Sequence, residues 1–308
     1  MGNRFQIPAD LIGERADKIV ATLAGLSRQQ ARSLFAAGVV VDSRPVEPDE
    51  RIRGHTIEFA RPAQARPLEP ATVPFIVRYE DKHLLVVDKP AGVVVHPGAG
   101  RESATLAAGL LGRYPELEGI GGEQRAGLVH RLDKETSGLL LVARSEAVHR
   151  QLVRELIARQ IRRQYLTLVH GEMEMPTGTI DAPISRDPTR PTRKKVSPEG
   201  RPARTHYRVR WQGEGLALLE VDLETGRTHQ IRVHLAAIGH PVVGDKTYSR
   251  RNFGKVLKRM FLHAARLELR HPVTDEEMSI VSPLPAELAK ALETLPGAAN
   301  SLTATHPG

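Results

Sequence analysis

The chain contains no cysteine. This excludes disulfide scaffolds, thiolate metal sites, iron–sulfur clusters and cysteine nucleophiles, and it suits a reducing compartment, so a cytoplasmic location is expected. Aromatic residues are scarce as well, with six Phe, five Tyr and one Trp in 308 residues. Sequence-tolerant stacking on many successive bases needs more rings than that, which argues against a single-strand binder. Long apolar runs are missing. Leu84 to Val87 and Gly138 to Ala143 fall far short of the roughly 20 residues of a membrane span and read as buried strands. The first residues lack the apolar core of a secretory signal, and Gln6 stands where a myristoylation site would carry Ser or Thr, so no membrane association is expected. Gly98-Ala99-Gly100 is one glycine short of a dinucleotide fingerprint and no Walker lysine motif occurs, so no nucleotide cofactor is expected.

Three hundred and eight residues, 40% apolar and 26% charged, suit two folded domains. Ile19, Val20 and Leu23 space as a helix. Ser27 followed by Gln30 reads as the capping-box start of a second helix, whose stripe is Ala31, Leu34 and Phe35 and whose stop is Gly38. Val39 to Val41 and His55 to Phe59 read as strands around a turn at Asp42 to Pro45. The result is a small α/β module over residues 13–60. Residues 61–73 contain three prolines and almost no large apolar residue, and read as a linker. A larger domain follows over 74–292, then a tail over 293–308. In the larger domain the expected strands are Phe75 to Tyr79, Leu84 to Asp88, Leu128 to Leu132, Leu139 to Val142, Tyr165 to Val169, Thr205 to Trp211 and Leu216 to Val221. Ser145 can cap a helix striped by Val148, Leu152 and Leu156, and Ile231, Leu235 and Ile238 mark another. Irregular strand–helix order points to an α+β mixed sheet.

The formal net charge is +8, which favours a polyanionic partner without identifying it. Arg28 and Arg32 share one helix face, and Arg15 and Lys18 lie on the preceding helix; on their own these are equally a solvated face. Residues 186–210 hold nine Lys or Arg against Asp187 and Glu199, a stretch suited to tracking phosphates.

Two polar clusters could carry chemistry. His130 to Gly138 is a charged loop between apolar runs, where a rigid scaffold can hold a functional side chain. Ser137 lacks the strand–turn–helix setting of a nucleophile elbow, and Asp133 with Glu135, two positions apart, is a poor template for a glycosidase carboxylate pair. Thr225 to His234 opens the second helix. There His229, Arg232 and Ala236 share a face, while His234 falls on the apolar stripe and reads as a core histidine. Positions five apart diverge on a helix, so no metal site is expected from His229 and His234.

The run from His130 to Gly138 resembles the signature of the RluA-type RNA pseudouridine synthases, the RluC- and RluD-like members included. Leu85 to Gly92, Arg163 to Tyr165, Thr225 to Leu235, Gly244-Asp245 and Phe261 to Ala264 are similar to further motifs of that family, in the same order, and residues 13 to about 60 are similar to its N-terminal S4 RNA-binding module. The resemblance implies a mixed, mainly antiparallel sheet of the pseudouridine synthase fold with a central cleft. It also implies isomerisation of specific uridines in structured RNA, with 23S rRNA as the expected target, and no cofactor. Asp133 would be the catalytic carboxylate, Arg232 the active-site basic residue beside it, and Tyr165 the pocket tyrosine. Arg131 would fill the space left in the RNA by the extruded base. Arg15, Lys18, Arg28, Arg32, Arg193, Lys194, Lys195, Arg227 and His229 would contact RNA. The alternatives are a synthase acting on tRNA and an RNA-binding ribosome-assembly factor whose modification activity is secondary. No heptad or apolar stripe calls for an obligate partner, so a monomer is expected.

Overall fold

The computed structural model describes residues 2–26, 28–60, 67–97, 104–190, 192–249 and 257–302. The chain divides into two compact units, Met1–Arg66 and Pro67–Gly308. The proposed cap at Ser27, the first half of the expected linker and Gly98 to Gly100 lie outside the described residues.

In the first unit the elements run β1 (Asn3–Gln6), α1 (Ala16–Ala24), α2 (Arg28–Leu34), β2 (Val39–Val41), β3 (Arg44–Pro45) and β4 (Thr56–Phe59). The sheet order is β1-β4-β2-β3, antiparallel throughout. Ile19, Val20 and Ala31 from the helices are buried against Val39, Ile57 and Phe59, the apolar stripe covering one sheet face. Asp42 and Ser43 both have positive φ, 45° and 68°, the geometry of a tight hairpin turn that Asp tolerates through local hydrogen bonds. The Asp42 carboxylate accepts from the Thr56 hydroxyl and from the His55 and Thr56 amides. One expectation is corrected: the module does not begin at residue 13. β1 pairs with β4 over its whole length, and Phe5 stacks on Phe59 at 4.7 Å; four residues are too few to show alternation in sequence.

The second unit runs β5 (Ile76–Glu80), β6 (Leu84–Lys89), α3 (Leu106–Arg113), β7 (Ser137–Ala143), α4 (Glu146–Ile157), β8 (Arg162–His170), β9 (Thr177–Asp181), β10 (Ile184–Arg186), β11 (Lys194–Val196), β12 (Arg204–Gly213), β13 (Leu216–Leu223), α5 (Gln230–Ala237), β14 (Leu262–Arg270), β15 (Glu277–Val281) and α6 (Ala286–Glu293). The strand order is β5-β6-β7-β14-β8-β13-β12-β9, with β15 also on β14 and β10–β11 a separate hairpin. Only β7–β14 is parallel among these pairings. This is the mixed, mainly antiparallel α+β sheet. Strands β6 and β7 carry unbroken apolar runs, Leu84 to Val87 and Leu139 to Ala143, because both faces are covered there. Leu140 and Val142 of β7 pack with Leu106 and Leu110 of α3 and Ile231 and Leu235 of α5. Leu139 and Leu141 pack with Val148 and Leu152 of α4, whose first turn is capped by the Ser145 hydroxyl accepting from the Val148 amide.

Three further expectations change. Leu128 to Leu132 makes only a bridge to Val142 before turning into the charged loop. The expected linker does not extend to residue 73, since the Ala71 amide already donates to Ala108 of α3. The tail does not begin at residue 293: Leu295 and Ala298 are buried with Leu288 and Leu292 of α6, and a 3-10 turn follows at Ala299–Leu302.

Candidate active site

The loop between the Leu128 bridge and β7 is pinned at both ends. At its start the Leu141 amide donates to His130 Nε2 at 3.2 Å; burial pushes that imidazole down to about 3, so it is neutral. At its end Gly138 has φ +114°, and a Cβ there would sit 2.2 Å from the Ala264 carbonyl oxygen, so only glycine lets β7 and β14 meet here. Beneath the loop Lys89 is fully buried. Its Nζ donates to the carbonyls of Pro90, Val93 and Lys134 at 2.8–3.1 Å, tying the end of β6 to the residue after Asp133. Burial, aided by the nearby Arg259 charge, brings the ammonium down to about 7 against the pull of Asp133 and Glu135.

The start of α5 is held by Gln230, which uses its whole amide. The oxygen accepts from the Thr225 hydroxyl and Arg227 amide, and the nitrogen donates to the Arg204 carbonyl and Thr205 hydroxyl. Arg232, one turn into the helix, is thereby aimed at the loop. Its Nη1 donates to Asp133 Oδ2 at 2.9 Å. Its other edge is bidentate on Asp245, with Nε to Oδ2 at 2.7 Å and Nη2 to Oδ1 at 3.0 Å. Burial opposes the guanidinium charge, but the hydrogen bonds to Asp245 and the Asp133 charge outweigh it and raise its pKa.

Asp133, Arg232 and Tyr165 line one cleft of about 620 Å³, a volume within the range of small-ligand sites. Leu132, Tyr165, Ile231 and Leu262 form its apolar wall and belong to the core beneath. Burial raises the Tyr165 pKa, with Arg163 opposing and Asp133 reinforcing, so the group is a phenol at neutral pH.

The residues expected to contact RNA fall into two groups. Arg131, Arg227 and His229 line the cleft. Lys194 and Lys195 lie on β11 with Arg193 just before it; burial lowers the Lys194 pKa, and Arg186 and Arg131 are near enough to add to the effect. In the first unit, Arg15, Arg28 and Arg32 all converge on the buried Asp17 at 2.9–3.1 Å, while Lys18 pairs with Glu14. Desolvation works against the Asp17 charge, but hydrogen bonds from Arg15 and Arg28 bring its pKa down to about 2. The expected solvated face is therefore a cluster built on an internal carboxylate.

His229 does not share a helical face with Arg232. It precedes α5 with a left-handed backbone, φ +60°. His234 is fully buried, with Nδ1 at 2.9 Å from the Thr205 hydroxyl and Nε2 at 2.9 Å from the Ala182 carbonyl. Among the described residues no group of three or more His, Cys, Asp or Glu is placed to hold a metal, and no helix is long and apolar enough to cross a membrane. Sequence reasoning missed Lys89 as a loop anchor and Tyr248 altogether. Asp245 was visible only as part of a motif match.

The family model described as RNA pseudouridylate synthase matches residues 83–237. An "Uncharacterized RNA pseudouridine synthase" of Chloroflexus aurantiacus is 46% identical over 293 residues, covering 94% of this chain and 92% of that protein. The "Ribosomal large subunit pseudouridine synthase D" of Nitrosomonas europaea is 40% identical over 304 residues, covering 94% and 86%. Among solved structures, "Human RNA Pseudouridylate Synthase Domain Containing 1" superposes with a TM-score of 0.56 at 28% identity, covering 78% of this chain and all of that one.

Proposed function

Because the chain belongs to the RNA pseudouridylate synthase family, a family of isomerases, we propose that it converts specific uridines of 23S rRNA to pseudouridine, with Asp133 as the reacting carboxylate and the target nucleotide swung out of its stack. The rRNA target is supported by relatives named for the large ribosomal subunit, at 40% and 37% identity. The reaction breaks the N1–C1′ bond, turns the uracil and joins C5 to C1′. N1 gains the proton that C5 loses, so nothing is consumed and the protein must supply only position, charge and proton transfer.

Asp133 attacks the ribose or the uracil ring, or acts as base; Arg232 holds it in place. Tyr165, a buried phenol, offers a ring for the extruded base to stack on and a hydroxyl that takes the C5 proton only as it passes on its own. Extruding the base costs a few kcal/mol. Phosphate contacts from Arg193, Lys194, Lys195 and Arg227 offset this, as do those from Arg15, Lys18, Arg28 and Arg32 of the first unit, here read as an S4-like RNA-binding module. Arg131, exposed on the loop, fills the vacated space.

The observation that carries this reading is the Asp133 side chain: 17% exposed, paired with Arg232 at 2.9 Å, and opening into the same cleft as Tyr165. Asp133→Asn is expected to bind structured rRNA fragments normally and to form no pseudouridine. A variant that still forms it overturns the assignment. Mapping pseudouridines in total RNA with and without the gene identifies the position. Rescue of a deletion strain by Asp133→Asn would instead give the main weight to ribosome assembly.

A further inference from the structure

Tyr248 has no part in the chemistry above, yet it touches three of its elements. Its hydroxyl accepts the Lys194 amide at 2.8 Å and lies 2.9 Å from His229 Nδ1. Its ring meets the guanidinium groups of Arg193 and Arg232, at 4.9 and 5.1 Å from the centroid, and meets the His229 ring edge-on. The other nitrogen of that imidazole, Nε2, is 3.9 Å from Asp133 Oδ2. A histidine held at φ +60° is in a sparsely used region of backbone space, which persists only where its surroundings enforce it.

The tautomer follows from the carboxylate: the Tyr248 oxygen accepts the Lys194 amide and has both a hydrogen and a second lone pair for His229 Nδ1, and the Asp133 carboxylate 3.9 Å from Nε2 favours the form in which Nδ1 accepts from the phenol. The imidazole hydrogen then sits on Nε2 and faces a carboxylate. The opposite tautomer would turn a lone pair toward that carboxylate and is repelled. Burial lowers the His229 pKa, with Asp133 and Asp245 opposing and Arg232 and Lys194 reinforcing, so the ring stays neutral. Arg232 donates to Oδ2 of Asp133, His229 Nε2 faces the same oxygen from 3.9 Å, beyond hydrogen-bond reach, and among the described residues Oδ1 has no hydrogen-bond partner.

We propose that His229 and Tyr248 are positioning residues for this reaction: Tyr248 fixes the Nε2–H tautomer of His229, and that N–H, facing Oδ2 of Asp133 beside the Arg232 hydrogen bond, biases the carboxylate so that Oδ1 is the reacting oxygen. The inference rests on Asp133 being the reacting carboxylate.

Steady-state pseudouridine formation on an rRNA fragment tests this. Tyr248→Phe keeps the ring contacts with the two guanidinium groups and removes only the hydroxyl. It is expected to lower kcat about tenfold, the loss of one oriented hydrogen bond, with KM unchanged. His229→Ala is expected to lower kcat about as much or more, His229→Gln to recover part of the loss through an amide hydrogen near the Nε2 position, and Tyr248→Phe to cost nothing further in the His229→Ala background. Nitrogen NMR of His229 is expected to read protonated Nε2 in the wild type and a mixture in Tyr248→Phe. A protonated Nδ1 in the wild type, wild-type kcat in both single variants, or losses confined to KM would overturn the inference. Asp133→Asn runs alongside. If it is inactive while the His229 and Tyr248 variants turn over normally, only this inference fails; if it is active, the reading beneath it fails.

Discussion

Asp245→Asn tests whether the Arg232 guanidinium depends on the carboxylate behind it. Asp245 is 3% exposed and takes four donors. Arg232 Nη2 and the Thr247 and Tyr248 amides reach Oδ1, and Arg232 Nε reaches Oδ2 at 2.7 Å. An asparagine side chain has nearly the same shape. Its oxygen can keep the three donors on Oδ1, but its NH2 group would then face Arg232 Nε, donor against donor. One charge-assisted bond worth about 1.5–3 kcal/mol is lost and a buried donor is left unmet. Removing one partner of a buried pair costs about 3–5 kcal/mol in general. Here Asp133 still partners Nη1 and three donors keep an acceptor, which places the expected cost at or below the lower end of that range, about 2–3 kcal/mol. Trp211 is the only tryptophan and packs in the second unit, its indole donating to the Pro296 carbonyl. Its fluorescence in urea therefore reports this unit alone. The guanidinium, released on one side, is expected to swing onto both Asp133 oxygens and to slow turnover more than it weakens RNA binding. A urea transition moved by less than about 0.5 kcal/mol, together with an unchanged single-turnover rate, would refute the argument.

Lys89 titrates near 7 in the folded chain and near its ordinary value when unfolded. Between those values the unfolded chain holds the extra proton, so stability rises with pH from about 7 towards 10. The Trp211 urea midpoint is expected to climb over that range and Lys89→Met to flatten the climb; a wild-type midpoint that falls from pH 7 to 9 contradicts it. Asp17, down at about 2, stabilises the first unit at pH values above about 4, and this contribution is lost as pH falls towards 2. Since its arginine partners are 36–56% exposed, solvent screening limits the effect to about 1–2 kcal/mol. Hydrogen exchange of the Val39–Val41 strand should record it, and Asp17→Asn should abolish the pH dependence. Replacing Arg28 and Arg32 together by alanine is expected to reduce the slope of log affinity against log salt by about two without changing which uridine is modified. An unchanged slope removes the first unit from RNA contact.

What could be read from sequence was local, and what could not was pairing over distance. The charged loop at Asp133 stood out because unbroken apolar runs flank it, and those runs are apolar because α3 and α5 cover one sheet face and α4 the other. The strand that joins the site together, β14, carries an ordinary alternation. Its place between β7 and β8 depends on a register of His263 with Ser137 and Ala264 with Gly138, contacts 126 residues apart that no periodicity encodes. Helix α3 was hidden by Gly109 and Gly112, poor helix formers present because a Cβ would meet Val73 at 2.7 Å and the Ala71 carbonyl at 2.8 Å. His229 shows why helical spacing misleads at an element's end. Extending the 3.6-residue period one position too far set it on the face of Arg232, whereas the left-handed turn at its own φ sends its ring to Tyr248 and Asp133 instead. The same holds for the arginines of the first unit. Same-face spacing grouped Arg28 with Arg32, but it took the buried Asp17, on a different helix, to make the group a structure rather than a solvated charge. A buried carboxylate with a guanidinium partner from a distant element recurs in both units: Asp17 holds Arg28 and Arg32 as well as the adjacent Arg15, and Asp245 holds Arg232. In each case spacing rules cannot find the acid, because the pairing that matters crosses between elements.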